Sequence, residues 1–211
     1  MGGWDIFPRL FVSGLWRGVR IETVSTRQID ETYHWVYDLD VTNRTARLSS
    51  RFRVKAPFDW IDRAQVRATL TRANRVVASK AVPFRHYHGE LRFALEDVDF
   101  WWPRGMGEAA LYDMTLELVA PDGHVAAVRR DRIGLRTVTL ERADRVAGKT
   151  DGEFLFRVNG ERCFMRGTNW VPLDAFHGRD GDRLDETALM LADLNCNMVR
   201  LWGGGVYEPD A

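Results

Sequence analysis

Polar and apolar residues alternate along much of the chain, and this alternation predicts β-strands. In "QVRATLTR", Val66, Ala68 and Leu70 fall on one face of a strand and the residues between them fall on the other. "LYDMTLELVAPDGHVAAVRRD" predicts two strands joined at residues 121–123, because proline and glycine fit the dihedral angles of a turn. Between residues 15 and 140 the pattern predicts about six to eight short strands, typical of an antiparallel sandwich of immunoglobulin-like size.

The pattern changes in "RADRVAGKTDG", residues 142–152, which is polar and contains glycine, and we expect a domain junction there. After it, "FLFRVNGERCFMRG" predicts a hairpin that turns at residues 159–160. A helix is predicted from about residue 183 to residue 194, with Asp182 as its N-cap in a capping box and Asn195 as its stop. "NMVRLW" then predicts a short buried strand, so this part of the chain is expected to form a parallel strand–helix–strand unit.

Charge and cysteine content exclude several classes of function. Lys+Arg and Asp+Glu both number 30, so the net charge is zero, and we expect no nucleic-acid and no membrane partner. No run of 18 apolar residues is present, and "MGGWDIFPRL" lacks the features of a signal peptide, so a cytoplasmic location is expected. Cys163 and Cys196 are too few for a disulfide scaffold, and His86 and His88 lack an evident third ligand. We therefore expect no metal and no cofactor.

Three stretches together resemble glycoside hydrolase family 2, and within it the β-mannosidases. The first is "GWDIFPRLFVSGLWRGVRIE". The second is "WWPRGMGEAALYDMTLEL" followed by "RIGLRTVTL". The third is "FRVNGERCFMRGTNWVPLDAF" followed by "NMVRLWGGGVYEPD". These matches span nearly the whole chain in the family's order, and "RGTNWVP" with "RLWGGGVYEPD" is their most specific part.

The resemblance implies a mainly β chain in three parts. Residues 1–25 would be the C-terminal end of a jelly-roll sugar-binding domain, 26–141 an immunoglobulin-like β-sandwich, and 152–211 the start of a catalytic (β/α)8 barrel. One strand–helix–strand unit cannot close a barrel or bury both faces of its strands. We therefore expect an internal fragment of a longer enzyme, and we expect its exposed strand edges to favour self-association.

The function that the resemblance implies is that of a retaining exo-glycosidase acting on terminal β-mannosides, which would be its carbohydrate partner. Such enzymes use two carboxylates about 5–5.5 Å apart. In the family these are glutamates on later barrel strands, so the catalytic residues are expected downstream of Ala211 and the 211-residue chain alone is expected to be inactive. Two alternatives stay open. One is a non-catalytic β-sandwich that acts as a binding or interaction module, and the other is a family 2 hydrolase acting on β-galactosides or β-glucuronides.

The resemblance also implies a set of sugar-binding residues. Trp202 ends a predicted barrel strand, where an indole can pack against a sugar ring, although core packing is the alternative. Arg200 lies on the same face and would hold hydroxyls or orient carboxylates, with a buried salt bridge as the alternative. Asn169 and Trp170 end the first predicted barrel strand, where a turn-forming asparagine is the alternative. Asp5, in "GWDIFP", matches the family motif "GWDWGP" with two differences.

Overall fold

The structure, a computed structural model, describes residues 14–15, 18–142, 154–203, 205, 207 and 208, without the side chain of His177. It divides into two compact units, which are described separately. The larger is Val24–Cys163, and the smaller comprises Met1–Thr23 and Phe164–Ala211. Twelve strands and one α-helix lie in the described residues, so the mainly β prediction is confirmed.

Seven strands of the larger unit form two antiparallel sheets. They are β1 (Gln28–Asp40), β2 (Thr45–Lys55), β3 (Gln65–Arg72), β4 (Arg75–Pro83), β5 (His88–Leu95), β6 (Tyr112–Val119) and β7 (Val125–Ile133). One sheet has the order β1-β2-β5 and the other the order β4-β3-β6-β7. The predicted turn between β6 and β7 is present, with Gly123 at a φ of +92° and its N–H bonded to the carbonyl oxygen of Ala120 at 2.9 Å.

A single hydrophobic core lies between these two sheets. The predicted inward faces of β3 and β6 are confirmed, because the alternating apolar side chains of both strands are fully buried. Apolar residues of β2 and β5 pack against them from the other sheet. The members that fill the centre are Val66, Ala68, Leu70, Met114, Leu116 and Leu118 from one sheet, with Leu48, Phe52, Val54, Leu91 and Phe93 from the other.

A third sheet belongs to the same unit. It contains β8 (Val138–Arg142), β9 (Phe154–Val158) and β10 (Glu161–Cys163) in the order β10-β9-β8. The predicted hairpin is confirmed, since Asn159 and Gly160 both have positive φ, at 52° and 84°, as a type I′ turn requires. The strand pattern over residues 15–140 included this strand in the sandwich, but β8 pairs with β9 instead. The domain limits 26–141 and 152–211 stay predictions.

The predicted parallel unit is present. Strand β11 (Gly167–Trp170) pairs in parallel with β12 (Met198–Leu201), and helix α1 (Asp180–Asp193) connects them. The expectation of a buried last strand was wrong in degree, because Val199 and Arg200 are exposed. Within the described residues β12 pairs only with β11, which leaves much of its surface in contact with solvent.

The helix begins earlier than predicted and ends where predicted. Its N-cap is Arg179, without a side-chain cap, so the assignment of Asp182 was wrong. Buried Asp180 instead accepts a 2.8 Å hydrogen bond from the backbone N–H of Asp174, which ties the preceding loop to the first turn. At the other end Asn195 has a φ of +57°. The N–H of the residue after it bonds back to the carbonyl of residue 191 at 2.9 Å, as in a Schellman motif.

Candidate functional site

The parallel unit brings most of the predicted site residues to one end of two neighbouring strands. Asn169 pairs in register with Arg200, and Trp170 pairs with Leu201. Because the strands are parallel, their carboxyl ends lie at the same edge, and Trp202 follows directly after β12. Ligands of α/β folds bind outside this edge, where backbone and side chains of successive strands converge.

Two features of the chain fix this register. Gly167 is required, because a Cβ there would lie 2.8 Å from the carbonyl carbon of Met198 and closer still to its oxygen. Asn197 forms two hydrogen bonds with the backbone just before β11. Its side-chain oxygen accepts from the N–H of Arg166 at 2.8 Å, and its amide nitrogen donates to the carbonyl of Phe164 at 3.0 Å. Asn197 lies three residues before Arg200, and its two partners lie three and five residues before Asn169, so both contacts hold the two strands in the register that pairs these residues.

Asn169 and Arg200 are exposed and bonded to each other. The Arg200 guanidinium donates to Oδ1 of Asn169 at 2.9 Å. Asn169 therefore lies in a strand and not in a turn, and Arg200 is neither buried nor bonded to a carboxylate within the described residues. The pair presents hydrogen-bond donors, the remaining guanidinium N–H groups and the asparagine amide, beside the solvent at the strand ends.

Trp170 is a buried residue at the end of β11. Its side chain is 8% exposed, and its indole N–H donates to Oε1 of Glu208 at 3.1 Å. Trp170 was predicted to contact the sugar, and this stays a prediction; in the structure its buried ring packs at the end of β11. Glu208 was missed as its partner, because no local pattern signals a contact 38 residues away.

The chain after β12 turns back tightly over the strand end. The N–H of Gly205 donates to the carbonyl of Trp202 at 2.8 Å. A Cβ at residue 205 would lie 3.2 Å from the carbonyl oxygens of both Trp170 and Trp202, so a larger residue would be crowded there. Trp202 itself is half-buried, which suits either a sugar platform or a packing role. Asp5 lies outside the described residues.

The described residues contain no group of three or more His, Cys, Asp or Glu side chains that could hold a metal ion. The rings of His86 and His88 lie 6.3 Å apart and approximately parallel. No helix in the described part of the chain is long and apolar enough to cross a membrane.

A buried polar network in the sandwich was not foreseen. His34 Nδ1 lies 2.9 Å from the Ser50 hydroxyl, and its Nε2 lies 3.0 Å from Oδ2 of Asp131, which also accepts from Thr32 at 2.7 Å. The order Ser, His, Asp matches a hydrolytic triad, but Ser50 is fully buried and the His34 side chain is 7% exposed. No substrate reaches this hydroxyl, so the network is structural.

The charge of Asp131 is stabilised by this network. Partial burial by itself raises the pKa of the Asp131 carboxyl, but the hydrogen bonds from His34 and Thr32 and the nearby Arg129 outweigh it. The net result is a pKa below the usual aspartate value. Asp131 therefore stays ionised and links β1 to β7 across the edge of the sandwich.

Curated relatives of this chain are β-mannosidases. It is 31% identical over 211 residues to "Beta-mannosidase B" of Aspergillus niger, covering 99% of this chain and 24% of the relative. It is 32% identical over 217 residues to "Beta-mannosidase" of Mus musculus, covering 98% of this chain and 24% of the relative. The chain thus spans about a quarter of the length of these relatives.

Solved structures share the fold. The β-D-mannosidase from Dictyoglomus thermophilum matches with a TM-score of 0.80 and 24% identity, over 98% of this chain and 25% of that one. The Bifidobacterium dentium β-glucuronidase matches with a TM-score of 0.66 and 21% identity, over 82% of this chain and 27% of that one. Residues 19–136, more than half of the chain, match the sequence model of the glycosyl hydrolases family 2. The chain therefore belongs to glycosyl hydrolase family 2.

Proposed function

We propose that the chain is part of a retaining exo-glycosidase that hydrolyses terminal β-mannosides, for which it supplies scaffold and part of the sugar subsite. The observation that carries this proposal is the convergence of Asn169, Arg200 and Trp202 at the carboxyl ends of two parallel strands. The names of the curated relatives support the choice of sugar.

In this proposal the seven-stranded sandwich is the immunoglobulin-like domain of the enzyme, and β11–α1–β12 is the first part of a (β/α)8 barrel. Two antiparallel sheets around one core support the first assignment. A parallel βαβ unit, with its polar residues at the carboxyl edge, supports the second. We also propose that the enzyme is cytoplasmic and that the chain self-associates through the exposed edge of β12.

The chemistry follows from the donors that the site presents. Arg200 and Asn169 hold each other in place, and their free N–H groups would donate to sugar hydroxyls. The indole face of Trp202 would pack against the C–H face of the ring. In the retaining reaction one carboxylate attacks the anomeric carbon and a second carboxyl group protonates the leaving oxygen. We propose that these two groups come from other parts of the enzyme.

A family 2 enzyme acting on β-glucuronides is the second candidate, because a β-glucuronidase shares the fold at a TM-score of 0.66. An assay of an enzyme that contains this chain distinguishes the two candidate functions. The substrates are p-nitrophenyl β-mannoside, β-galactoside and β-glucuronide. The proposal predicts that kcat/KM is highest for the mannoside by at least about a hundredfold, equivalent to about 2.7 kcal/mol of transition-state discrimination. Preference for either other substrate would contradict it.

A further inference from the structure

A second concave surface lies in the larger unit, among residues that the proposed function does not use. It is a groove of about 740 Å³, a volume typical of ligand sites. Its walls come from residues 33–37 of the edge strand β1, from Trp101 and Leu111, and from residues between 132 and 139 at the end of β7 and the start of β8. We call it the aromatic groove, and the side chains that define it are Tyr33, Trp35, Tyr37, Trp101, Arg132 and Arg136.

The β1 wall exposes stacked aromatic rings. Tyr33 and Trp35 have ring centroids 5.3 Å apart and an interplanar angle of 30°. Tyr33 is 65% exposed and Tyr37 is 47% exposed, which is unusual for large aromatic residues on a strand. Trp35 itself is half-buried and has the Arg51 guanidinium 5.1 Å from its ring centre, so the rings open to solvent are those of the two tyrosines. A flat, exposed ring packs well against the C–H face of a sugar.

The opposite wall holds a cation in place above an indole. The guanidinium carbon of Arg136 lies 4.0 Å from the centre of the Trp101 ring. Gly134 permits this arrangement, because a Cβ there would lie 2.8 Å from the Trp101 side chain. Arg136 makes no hydrogen bond or ion pair with the described part of the chain, and partial desolvation lowers the pKa of its guanidinium. A fixed cation without an anionic partner is suited to receive one.

Among the described residues that line the groove, none carries a side-chain carboxylate or carboxamide. Its remaining polar side chains are hydroxyls of tyrosine and threonine, indole N–H groups, Arg132 and His34. Both ring nitrogens of His34 are already engaged by Ser50 and Asp131. Arg132 reaches an exposed carboxylate, Asp113, only at 4.0 Å. The groove therefore favours a ligand that brings hydrogen-bond acceptors and negative charge.

The shape of β1 argues against a peptide as the occupant. β1 is an edge strand, to which an extended peptide could add. However, its pairing with β2 is interrupted by irregularities between residues 29 and 31 and between residues 36 and 38. Bulges of this kind twist an edge away from further strand pairing.

We propose that the aromatic groove binds an acidic oligosaccharide, with a uronate carboxylate on Arg136 and sugar rings against the exposed Tyr33 and Tyr37. Asn169, Arg200 and Trp202 do not line the groove, which would hold an acidic glycan without cleaving it.

Titration calorimetry of the 211-residue chain with trigalacturonate and with neutral galactotriose tests this proposal. We expect saturable binding of trigalacturonate, at least about tenfold tighter than of the neutral trisaccharide and weaker at high salt, because the contact is partly ionic. Arg136→Gln and Tyr33→Ala should each weaken binding about tenfold. The matched controls Arg104→Gln and Phe58→Ala alter exposed residues outside the groove and should leave binding unchanged.

Several outcomes would overturn the proposal. They are no binding of trigalacturonate, equal binding of the neutral sugar, or insensitivity to both groove variants. Equal affinity for hexaglutamate would show that the groove recognises negative charge and not sugar rings. This result would contradict the assignment of the ligand as a carbohydrate. Trp202→Ala should leave trigalacturonate binding intact, because Trp202 does not line the groove. Glycan binding in the groove and β-mannoside hydrolysis are therefore tested by different variants, and either proposal can fail without the other.

Discussion

Replacing Gly167 with alanine tests how the parallel unit positions the candidate site. The added Cβ would lie 2.8 Å from the carbonyl carbon of Met198, whereas ordinary contacts begin at 3.4 Å. The obstacle is the backbone of β12 and not a flexible side chain. Relief of the contact with the carbonyl carbon alone needs about 0.6 Å, and the carbonyl oxygen lies closer still, so the two strands must separate by more than that. Overpacking of this kind costs about 1–3 kcal/mol, and each weakened ladder hydrogen bond adds about 0.5–1.5 kcal/mol.

We therefore expect Gly167→Ala to destabilise the β11–β12 pairing by about 2–4 kcal/mol. Hydrogen exchange followed by mass spectrometry should show this as faster exchange in peptides that cover β11 and β12, with peptides from the sandwich unchanged. The matched control is Gly181→Ala in α1, where the new Cβ has no heavy atom within 4 Å. This control should leave exchange in β11 and β12 unchanged and slow exchange in the helix slightly, since alanine is favoured over glycine in a helix by up to about 1 kcal/mol. Wild-type protection of β11 and β12 in Gly167→Ala would refute the reasoning.

Three further predictions concern stability. The pKa of Asp131 is lower in the folded than in the unfolded state. The Asp131 carboxylate therefore stabilises the fold above its unfolded pKa of about 3.9, and this stabilisation is lost as pH falls through the folded pKa. In urea unfolding, Asp131→Asn should lose less stability on acidification than wild type does. Leu116→Ala removes a fully buried side chain and should cost about 2–5 kcal/mol in the same assay, whereas exposed Val76→Ala should cost under about 0.5 kcal/mol. Asn195→Gly should raise thermal stability slightly and Asn195→Val should lower it by about 1–2 kcal/mol, because the φ of +57° disfavours a β-branched residue.

Local patterns predicted those parts of the fold whose determinants lie close together in the sequence. The alternation in β3 and β6, the hairpin at Asn159–Gly160 and the helix stop at Asn195 each depend on a few adjacent residues. The parallel unit followed from strand, helix and strand signals in succession. The helix start was misplaced because the capping-box pattern pointed to Asp182, whereas the helix begins at Asp180, whose carboxylate bonds to the backbone N–H of Asp174 in the preceding loop.

Long-range contacts account for what the sequence did not predict. β8 continues the strand pattern of the sandwich, and only its pairing with β9 reveals a different sheet. His34 and Asp131 are 97 residues apart, and Trp170 and Glu208 are 38 apart. In the candidate site, the sequence predicted that Asn169 and Arg200 lie at strand ends. Their mutual hydrogen bond and the burial of Trp170 are seen only in the structure.

Steady-state hydrolysis of p-nitrophenyl β-mannoside by an enzyme containing this chain is the most direct test of the central claim. The measurement compares wild type with Trp202→Ala and with Phe58→Ala, an exposed residue of the sandwich. Loss of an aromatic platform should lower kcat/KM by about tenfold or more in Trp202→Ala, while Phe58→Ala keeps wild-type values. Wild-type kcat/KM in folded Trp202→Ala would contradict the assignment of this strand end to the sugar subsite.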